Sequence, residues 1–278
     1  MSKRAAVVLV TGFVITDILI TYILKKQKEK TTYIIENIEP IPIRKMGFYE
    51  KYIKRILDVL CATGTIICFA PLYLVIAVLV KIKLGSPILF TQERPGMIDS
   101  NGKETVFKMY KFRSMTDEKD NHGDLLSDEI RITPFGRWLR ETSLDELGEV
   151  INIINGTMSV IGPRPQLVRD LIFMTKEQRQ RHTAKPGLSG LAQVHGRNSI
   201  SWENKFNWDL KYINNINFFA DVKIMLDSIG KALIKREGIT MDGMATAQDF
   251  GDYLLNSGKI SQDEYDKKQK RARIILER

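Results

Sequence analysis

The apolar positions of this chain form two long blocks, followed by shorter stretches with strand or helix periodicity. Residues 5–24 carry a single charge, Asp17, and match the roughly 20 apolar residues a helix needs to cross a bilayer. Lys3 and Arg4 precede the block, while Lys25, Lys26, Lys28 and Lys30 follow it, so the positive-inside rule predicts an extracytoplasmic N-terminus. No small-residue cleavage pattern precedes the lysines, which predicts an uncleaved anchor rather than a secretory signal. Asp17 is costly in lipid and is expected to face a partner helix or the interface.

The second block, residues 57–80, has positive charge at both ends: Lys51, Lys54 and Arg55 before it, Lys81 and Lys83 after it. Pro71 lies near its middle, where the missing N–H and the ring would break a helix. An ordinary kinked span and a hairpin that re-enters the same face both fit Pro71; the matched flanks favour the hairpin.

Residues 31–50 are mixed, with Pro40 and Pro42, and read as a linker. Between 84 and 132, turn signals at Gly85-Ser86-Pro87, Pro95-Gly96 and Asn101-Gly102 bracket strand-like runs at 88–91 and 105–113. Thr133-Pro134 opens a helix, with Thr as N-cap and Pro at the first position, and Ser143 opens another. Residues 218–235 place Phe218, Val222, Met225, Leu226, Ile229 and Leu233 on one helical face, a pattern that fits core packing or a membrane surface and favours the core. Beyond Gly238 the chain is polar, with two short helices expected over 247–277 and Lys267, Lys268, Lys270, Arg271 and Arg273 near the end. A solvated tail and a partner- or lipid-contacting appendage fit that stretch equally.

With 278 residues the chain accommodates one catalytic domain of about 150–200 residues beside its membrane segments. The 42 Lys and Arg against 33 Asp and Glu give a net charge of +9, which suits anionic lipid, phosphorylated substrates or nucleic acid without choosing among them. Cys61 and Cys68 sit inside the second apolar block with no histidine nearby, as core or lipid-facing fillers rather than a disulfide or metal site.

Charged chemistry is densest between Lys108 and Arg197. Lys108, Lys111 and Arg113 come first, then Arg137 and Arg140 on one helical face, Asp145 and Glu146, Arg164 between two prolines, Gln193 and Arg197. Guanidinium forks beside turn-forming Gly and Pro suit several phosphates, because each fork pairs two oxygens at once. Ser143-Leu-Asp-Glu146 is also a capping-box pattern, in which Glu146 reaches back to the Ser143 N–H. The alternative starts from the same helix start: Asp145 stays ionised and attacks phosphorus while Glu146 holds a divalent ion. Spacing alone leaves both open.

From about Tyr52 to Ala247 the chain resembles the monotopic polyprenyl-phosphate phosphoglycosyl transferases, the bacterial sugar transferase family. The likeness runs through Lys54-Arg-Ile-Leu-Asp58, Phe90-Thr-Gln-Glu-Arg-Pro-Gly96, the Lys-Phe-Arg-Ser-Met run ending at Met115 and Ser143-Leu-Asp-Glu-Leu147. It continues through Met158-Ser-Val-Ile-Gly-Pro-Arg-Pro165, Lys185-Pro-Gly-Leu-Ser-Gly-Leu-Ala-Gln-Val194 and Gly196-Arg197. No single motif is specific; together they are. The resemblance implies a re-entrant membrane helix broken at Pro71, a magnesium-dependent Asp-Glu dyad and a covalent phosphosugar intermediate. Asp145 takes the nucleophile's position, Glu146 that of the Mg2+ ligand, and Arg140, Arg164, Gln193 and Arg197 fall on substrate- and phosphate-binding motifs.

Residues 196–206 are similar to the small members that start glycoprotein or capsule glycans with acetamido sugars. Three positions depart from the family pattern. Gly148-Glu149 stands for Pro-Gln, Gly156-Thr-Met-Ser159 for Gly-Asp-Met-Ser, and Ala70-Pro71 for Ser-Pro.

The expected architecture is therefore an α/β, membrane-associated protein with a mostly helical catalytic domain and amphipathic interface helices. Its parts are an anchor at 1–30, the linker 31–50, a re-entrant helix at 51–83, the catalytic domain 84–240 and a polar helical tail at 241–278. The expected setting is the bacterial inner or plasma membrane, with the catalytic domain cytoplasmic. A UDP-sugar donor, a polyprenyl phosphate acceptor, the bilayer and downstream glycosyltransferases are the expected partners, and nucleic acid is not. A non-catalytic scaffold for anionic lipid and a metal-dependent membrane phosphohydrolase are the competing readings.

Overall fold

The computed structural model describes residues 32–196, 200–231 and 248–276. The expected anchor at 1–30, Arg197 and Leu233 lie outside them. The described chain is a mixed helix-and-sheet domain seated against one long apolar helix.

Strands β1 (Thr32–Ile34), β2 (Leu89–Ile98) and β3 (Glu104–Phe112) form an antiparallel sheet in the order β1-β3-β2. Residues read as a linker thus supply an edge strand, and Ile35, Ile38 and Ile41 behind it are buried. Strand β3 is buried on both faces, Val106 and Tyr110 on one and Phe107 and Met109 on the other, and the length of β2 exceeds the run expected from sequence because its polar residues pair across to β3.

Helix α1 (Lys54–Leu84) follows a single π-helical turn, Tyr49–Ile53, and together they are long and apolar enough to cross a membrane. Phe69 leaves helical geometry (φ −107°, ψ 15°), two residues before Pro71. Pro71 offers no N–H to the preceding turn and its ring crowds that turn, so the break falls where the sequence places it. The helix ends at Gly85, whose φ of 83° takes the chain out of the helix.

Both limbs of α1 pack on the same domain. Before the break, Arg55 donates to the carbonyls of Ile153 and Ile154, the last turn of α3 (Val150–Asn155), where a cation also meets the helix dipole. Asp58 accepts from the Ser159 hydroxyl and from the Val160 N–H, tying the limb to β4 (Ser159–Ile161). Lys54 pairs with Asp221. After the break, Tyr73 Oη donates to Leu147 O at 3.1 Å, and Ile76 and Val80 pack with Phe112 and Leu139. Each such fully buried aliphatic side chain contributes about 1.5–3 kcal/mol of transfer free energy. The Lys54-Arg-Ile-Leu-Asp58 motif is thus a staple between helix and domain.

Thr133 and Pro134 open α2 (Pro134–Glu141) as expected, with the Thr133 hydroxyl accepting from Gly136 N at 3.0 Å. Strand β5 (Gly187–Ser189) pairs in parallel with β4. Two helices follow, α4 (Trp202–Ile213) and α5 (Phe218–Gly230). The sequence favoured core packing for the second of these. Ile224 is buried, but Phe218, Phe219, Leu226 and Ile229 are exposed, so only one edge of that helix meets the core.

The polar C-terminal stretch is no solvated tail. Helices α6 (Phe250–Asn256) and α7 (Gln262–Leu276) put Phe250 and Ile275 into the cluster formed by Ile35, Val106, Leu171 and Trp202.

Candidate active site

Beyond α2 the backbone turns sharply through Ser143, whose φ of 55° is the one left-handed value among the described non-glycine residues. The Ser143 N–H closes on Arg140 O at 3.1 Å, and a helical turn does open here as expected, beginning at Leu144 with Ser143 at its N-cap position. Its side chain makes no cap bond, and Glu146 does not reach back to it. The capping-box reading is therefore corrected: the Glu146 carboxylate is engaged elsewhere. Left-handed geometry at a residue with a Cβ is unfavourable and persists only where the surroundings enforce it, often at functional sites.

Residues Leu144–Glu149 form a 3-10 turn laid against β3. Gly148 permits the close approach: a Cβ there would stand 2.8 Å from Tyr110 O. Asn152 fixes the register, accepting from Tyr110 N and donating to Lys108 O. The turn aims Asp145, Glu146 and Glu149 at one cation. Lys111 Nζ lies 3.8 Å from Asp145 Oδ2, 3.1 Å from Glu146 Oε1 and 3.3 Å from Glu149 Oε1. Arg164 adds a second cation, with Nη2 2.5 Å from the same Glu146 oxygen.

These charges set one another's protonation. Burial opposes ionisation of Glu146, but Arg164 and Lys111 overrule it and hold the carboxyl well below the usual carboxylate range. Burial raises Asp145, against the pull of Lys111 and with the push of Glu146. The expectation of an Asp145 held ionised by a helix end is thus replaced by one of burial countered by neighbouring cations. Glu149, 1 % exposed, is pushed up to about 7, again by burial first. Arg164 is raised, chiefly by Glu146.

A cavity of about 670 Å³ opens over this cluster. Lys111, Arg113, Arg137, Arg140, Arg164 and Gln193 all line it, together with Asp145 and Glu146. Arg113 is occupied structurally, donating to Ser86 O and Met115 O and pairing with Asp117. Arg140 Nε donates to Ser114 Oγ at 2.9 Å. Lys108 is not brought in: it is exposed on β3 opposite Glu93.

Sequence reasoning missed several lining residues. Glu149 was legible only as a departure from the family pattern. Arg94 belongs to the Phe90–Gly96 motif but had no role assigned; it is half-buried, its pKa lowered to about 10 by desolvation and then by Arg164. Among the described residues, Arg94 Nε and Gln193 Oε1 are buried side-chain atoms without a hydrogen bond, and both residues line this cavity. Buried polar atoms are nearly always paired, so such a group beside a cavity marks capacity for a ligand.

A divalent cation fits the donor set. Glu146 Oε2 makes no hydrogen bond among the described residues, while both cations use Oε1. Among the described residues no group of three acidic, His or Cys side chains forms a complete metal cage. Magnesium does not need one, since it is commonly held by one or two carboxylates plus substrate phosphates.

A second cavity, about 530 Å³, adjoins the first through Ser143, Glu146 and Gln193. Its other walls are mostly apolar, from Cys61, Ala62 and Phe69 on α1 to Met225 and Ile229 on α5.

The model of the family described as "Bacterial sugar transferase" matches residues 49–235. The chain is 43% identical to the uncharacterized sugar transferase EpsL of Bacillus subtilis, over 75% of this chain and 98% of that protein. It is 37% identical to a UDP-glucose:undecaprenyl-phosphate glucose-1-phosphate transferase of Klebsiella pneumoniae, over 66% of this chain and 40% of that one. A UDP-N-acetylgalactosamine-undecaprenyl-phosphate N-acetylgalactosaminephosphotransferase of Aeromonas hydrophila is 35% identical over 64% of this chain and 43% of its own length. This chain therefore spans nearly all of the first relative and less than half of the other two.

Proposed function

The chain belongs to the bacterial sugar transferase family, and from that premise we propose that it moves a sugar 1-phosphate from a UDP-sugar to a polyprenyl phosphate. The observation that carries this reading is the meeting of two unlike cavities at one acidic turn. The polar cavity, with Lys111, Arg140 and Arg164 around Asp145, suits a nucleotide diphosphate. The apolar one, between α1 and α5, suits an isoprenoid chain arriving from the bilayer with its phosphate toward Glu146 and Gln193.

In the proposed reaction a carboxylate oxygen of Asp145 attacks the β-phosphorus of the donor. The bond from that phosphorus to the bridging oxygen breaks, and UMP departs with the electron pair. Lys111 and Arg164 counter the charge that builds on the phosphoryl oxygens and oppose the upward push of burial on the Asp145 carboxyl. An oxygen of polyprenyl phosphate then attacks the same phosphorus and Asp145 leaves as the carboxylate. A magnesium ion, held by Glu146 and the donor phosphates, would supply further neutralisation of the transferred phosphoryl group. A scaffold role gives no reason for the unpaired groups lining the cavity, and a hydrolase gives none for the apolar cavity.

The membrane arrangement follows the same logic. Limbs of α1 on both sides of Phe69 contact one domain, which supports a re-entrant reading in which both ends of the helix lie on one face of the membrane and the apolar bend dips into it. Phe48, Tyr52 and Phe219 are all exposed, aromatic side chains of the kind found at headgroup level. Donor supply places that face in the cytoplasm. Cysteines introduced near Lys51 and near Lys83 should be labelled from the same side; labelling from opposite sides would make α1 a span.

Product analysis tests the reaction itself. UDP-sugars incubated with the protein, magnesium and polyprenyl phosphate should yield lipid-linked diphosphosugar and UMP in equal amounts. Free sugar phosphate as the product would make the protein a hydrolase, and no product from any UDP-sugar would leave a scaffold.

A further inference from the structure

We propose that the C-terminal segment beginning at Gln248 is part of the donor pocket, with Gln248 and Asp249 contacting the donor's sugar and selecting which sugar is accepted. This rests on the reading of the larger cavity as the nucleotide-sugar site.

The family match ends at residue 235, yet Gln248 and Asp249 both line the cavity that holds Asp145. Their position is built into the fold. Immediately after them Phe250, 2% exposed, packs on Trp202 at 5.2 Å and edge-on to Phe206 at 4.9 Å. Gly251 lies so close to Phe173 that a Cβ would stand 2.8 Å from the ring, and its N–H points to Asp170 Oδ1 at 3.4 Å. Tyr253 Oη donates to Glu203 on α4 at 2.9 Å. Asp249 itself pairs with Arg169, another lining residue. No hydrogen bond among the described residues engages the Gln248 amide.

The chemistry of this wall differs from that around Lys111. Phosphates call for cations, and a carboxylate would repel them. Here an amide and a carboxylate–guanidinium pair stand together, a mixed donor and acceptor set suited to neutral hydroxyl or acetamido groups. The sugar is also the variable part of the donor. The Klebsiella and Aeromonas relatives are named for the same nucleotide and for different sugars, glucose and N-acetylgalactosamine. A wall supplied from beyond the matched domain is positioned to read that variable part.

Calorimetric binding on the full chain in nanodiscs with magnesium separates sugar contact from general damage. UDP, UDP-glucose, UDP-N-acetylglucosamine and UDP-N-acetylgalactosamine would be titrated into wild type, Gln248→Ala and Asp249→Asn, each in an Asp145→Asn background so that bound donor is not turned over. Both variants should bind UDP as wild type does, while affinity for the preferred UDP-sugar falls roughly tenfold, the order expected for one lost hydrogen bond to ligand, and the ranking of sugars changes. A parallel fall for UDP and every UDP-sugar, or no change at all, would overturn the proposal while leaving the donor site intact. Failure of wild type to bind UDP or any UDP-sugar would overturn both this inference and the donor-site reading. Because Asp249→Asn also disturbs Arg169, Gln248→Ala with an unchanged melting temperature is the deciding variant.

Discussion

Two clusters of buried charge, made from the same kinds of residue, serve opposite ends in this molecule. Glu104 is fully buried and receives Arg179 through both oxygens, with His182 Nδ1 3.4 Å away. None of those residues lines the large cavity. Asp145, Glu146 and Glu149 instead gather around Lys111 beside that cavity, with Arg164 as a second cation. One cluster matches its charges and is closed. The other holds more carboxylate than its cations satisfy, beside open space. Matched, closed charge gives rigidity, whereas unmet capacity next to a cavity is what a ligand completes.

The widest separation between the two should come from Asp145→Asn. An amide is a poor nucleophile at phosphorus, so turnover should fall by roughly a thousandfold or more with the melting temperature unchanged. Activity near wild type in that variant would remove Asp145 from the chemistry.

Glu104→Gln is the converse. Removing one charge of a buried pair costs about 3–5 kcal/mol, a large part of an ordinary stability margin, and urea unfolding should register it. Kinetics per folded molecule should stay near wild type. The closed cluster also sets an acid limit. Burial alone would raise the Glu104 carboxyl, but hydrogen bonds from His182 and Arg179 hold it at about 2. A carboxyl depressed in the folded state stabilises above its unfolded pKa, so this contribution is present above about pH 4.5 and lost as pH falls toward 2. His182, lowered by burial, adds a loss in the same direction once pH drops below its ordinary value of 6.5. Acid unfolding of Glu104→Gln should be correspondingly shallower; an identical pH profile would mean that Glu104 is not the titrating group.

Much of this contrast was readable in the sequence, and the unread part has a physical cause. Pro71, the strands around 88–91 and 105–113 and the Thr133-Pro134 helix start were legible because each depends on local geometry. The Asp145-Glu146 pair was legible through motif likeness. Ser143 misled, because a capping-box spacing says nothing about a backbone forced left-handed by the turn against β3. Lys111 as the centre of three carboxylates was hidden, since β3 and the 144–149 turn meet only through tertiary packing. Polarity in the tail concealed its docking, as a few residues such as Phe250 and Ile275 suffice to hold it. Arg164, by contrast, was both legible and placed in the site.

Arg164→Lys sharpens the open cluster further. It keeps the charge but loses the planar fork, so activity should drop about tenfold, near 1.4 kcal/mol, with stability little changed. An unaltered rate would make Arg164 a counter-charge for Glu146 and nothing more. Glu149→Gln should have the smallest effect. Lys111 keeps two carboxylates, and exchanging one charged contact for a neutral one should change kcat/KM by roughly threefold or less. A loss as deep as that of Asp145→Asn would promote Glu149 to a direct part in the reaction.

The central claim is a covalent phosphosugar on Asp145, and a single-turnover experiment without acceptor tests it most directly. Mixed with its UDP-sugar and magnesium but no polyprenyl phosphate, the protein should release one equivalent of UMP in a burst. Its intact mass should rise by one phosphosugar, carried on the peptide containing Asp145 and discharged when polyprenyl phosphate is added. Absence of UMP release until acceptor is present, with no mass change on that peptide, would contradict the covalent route and leave direct transfer between the two cavities.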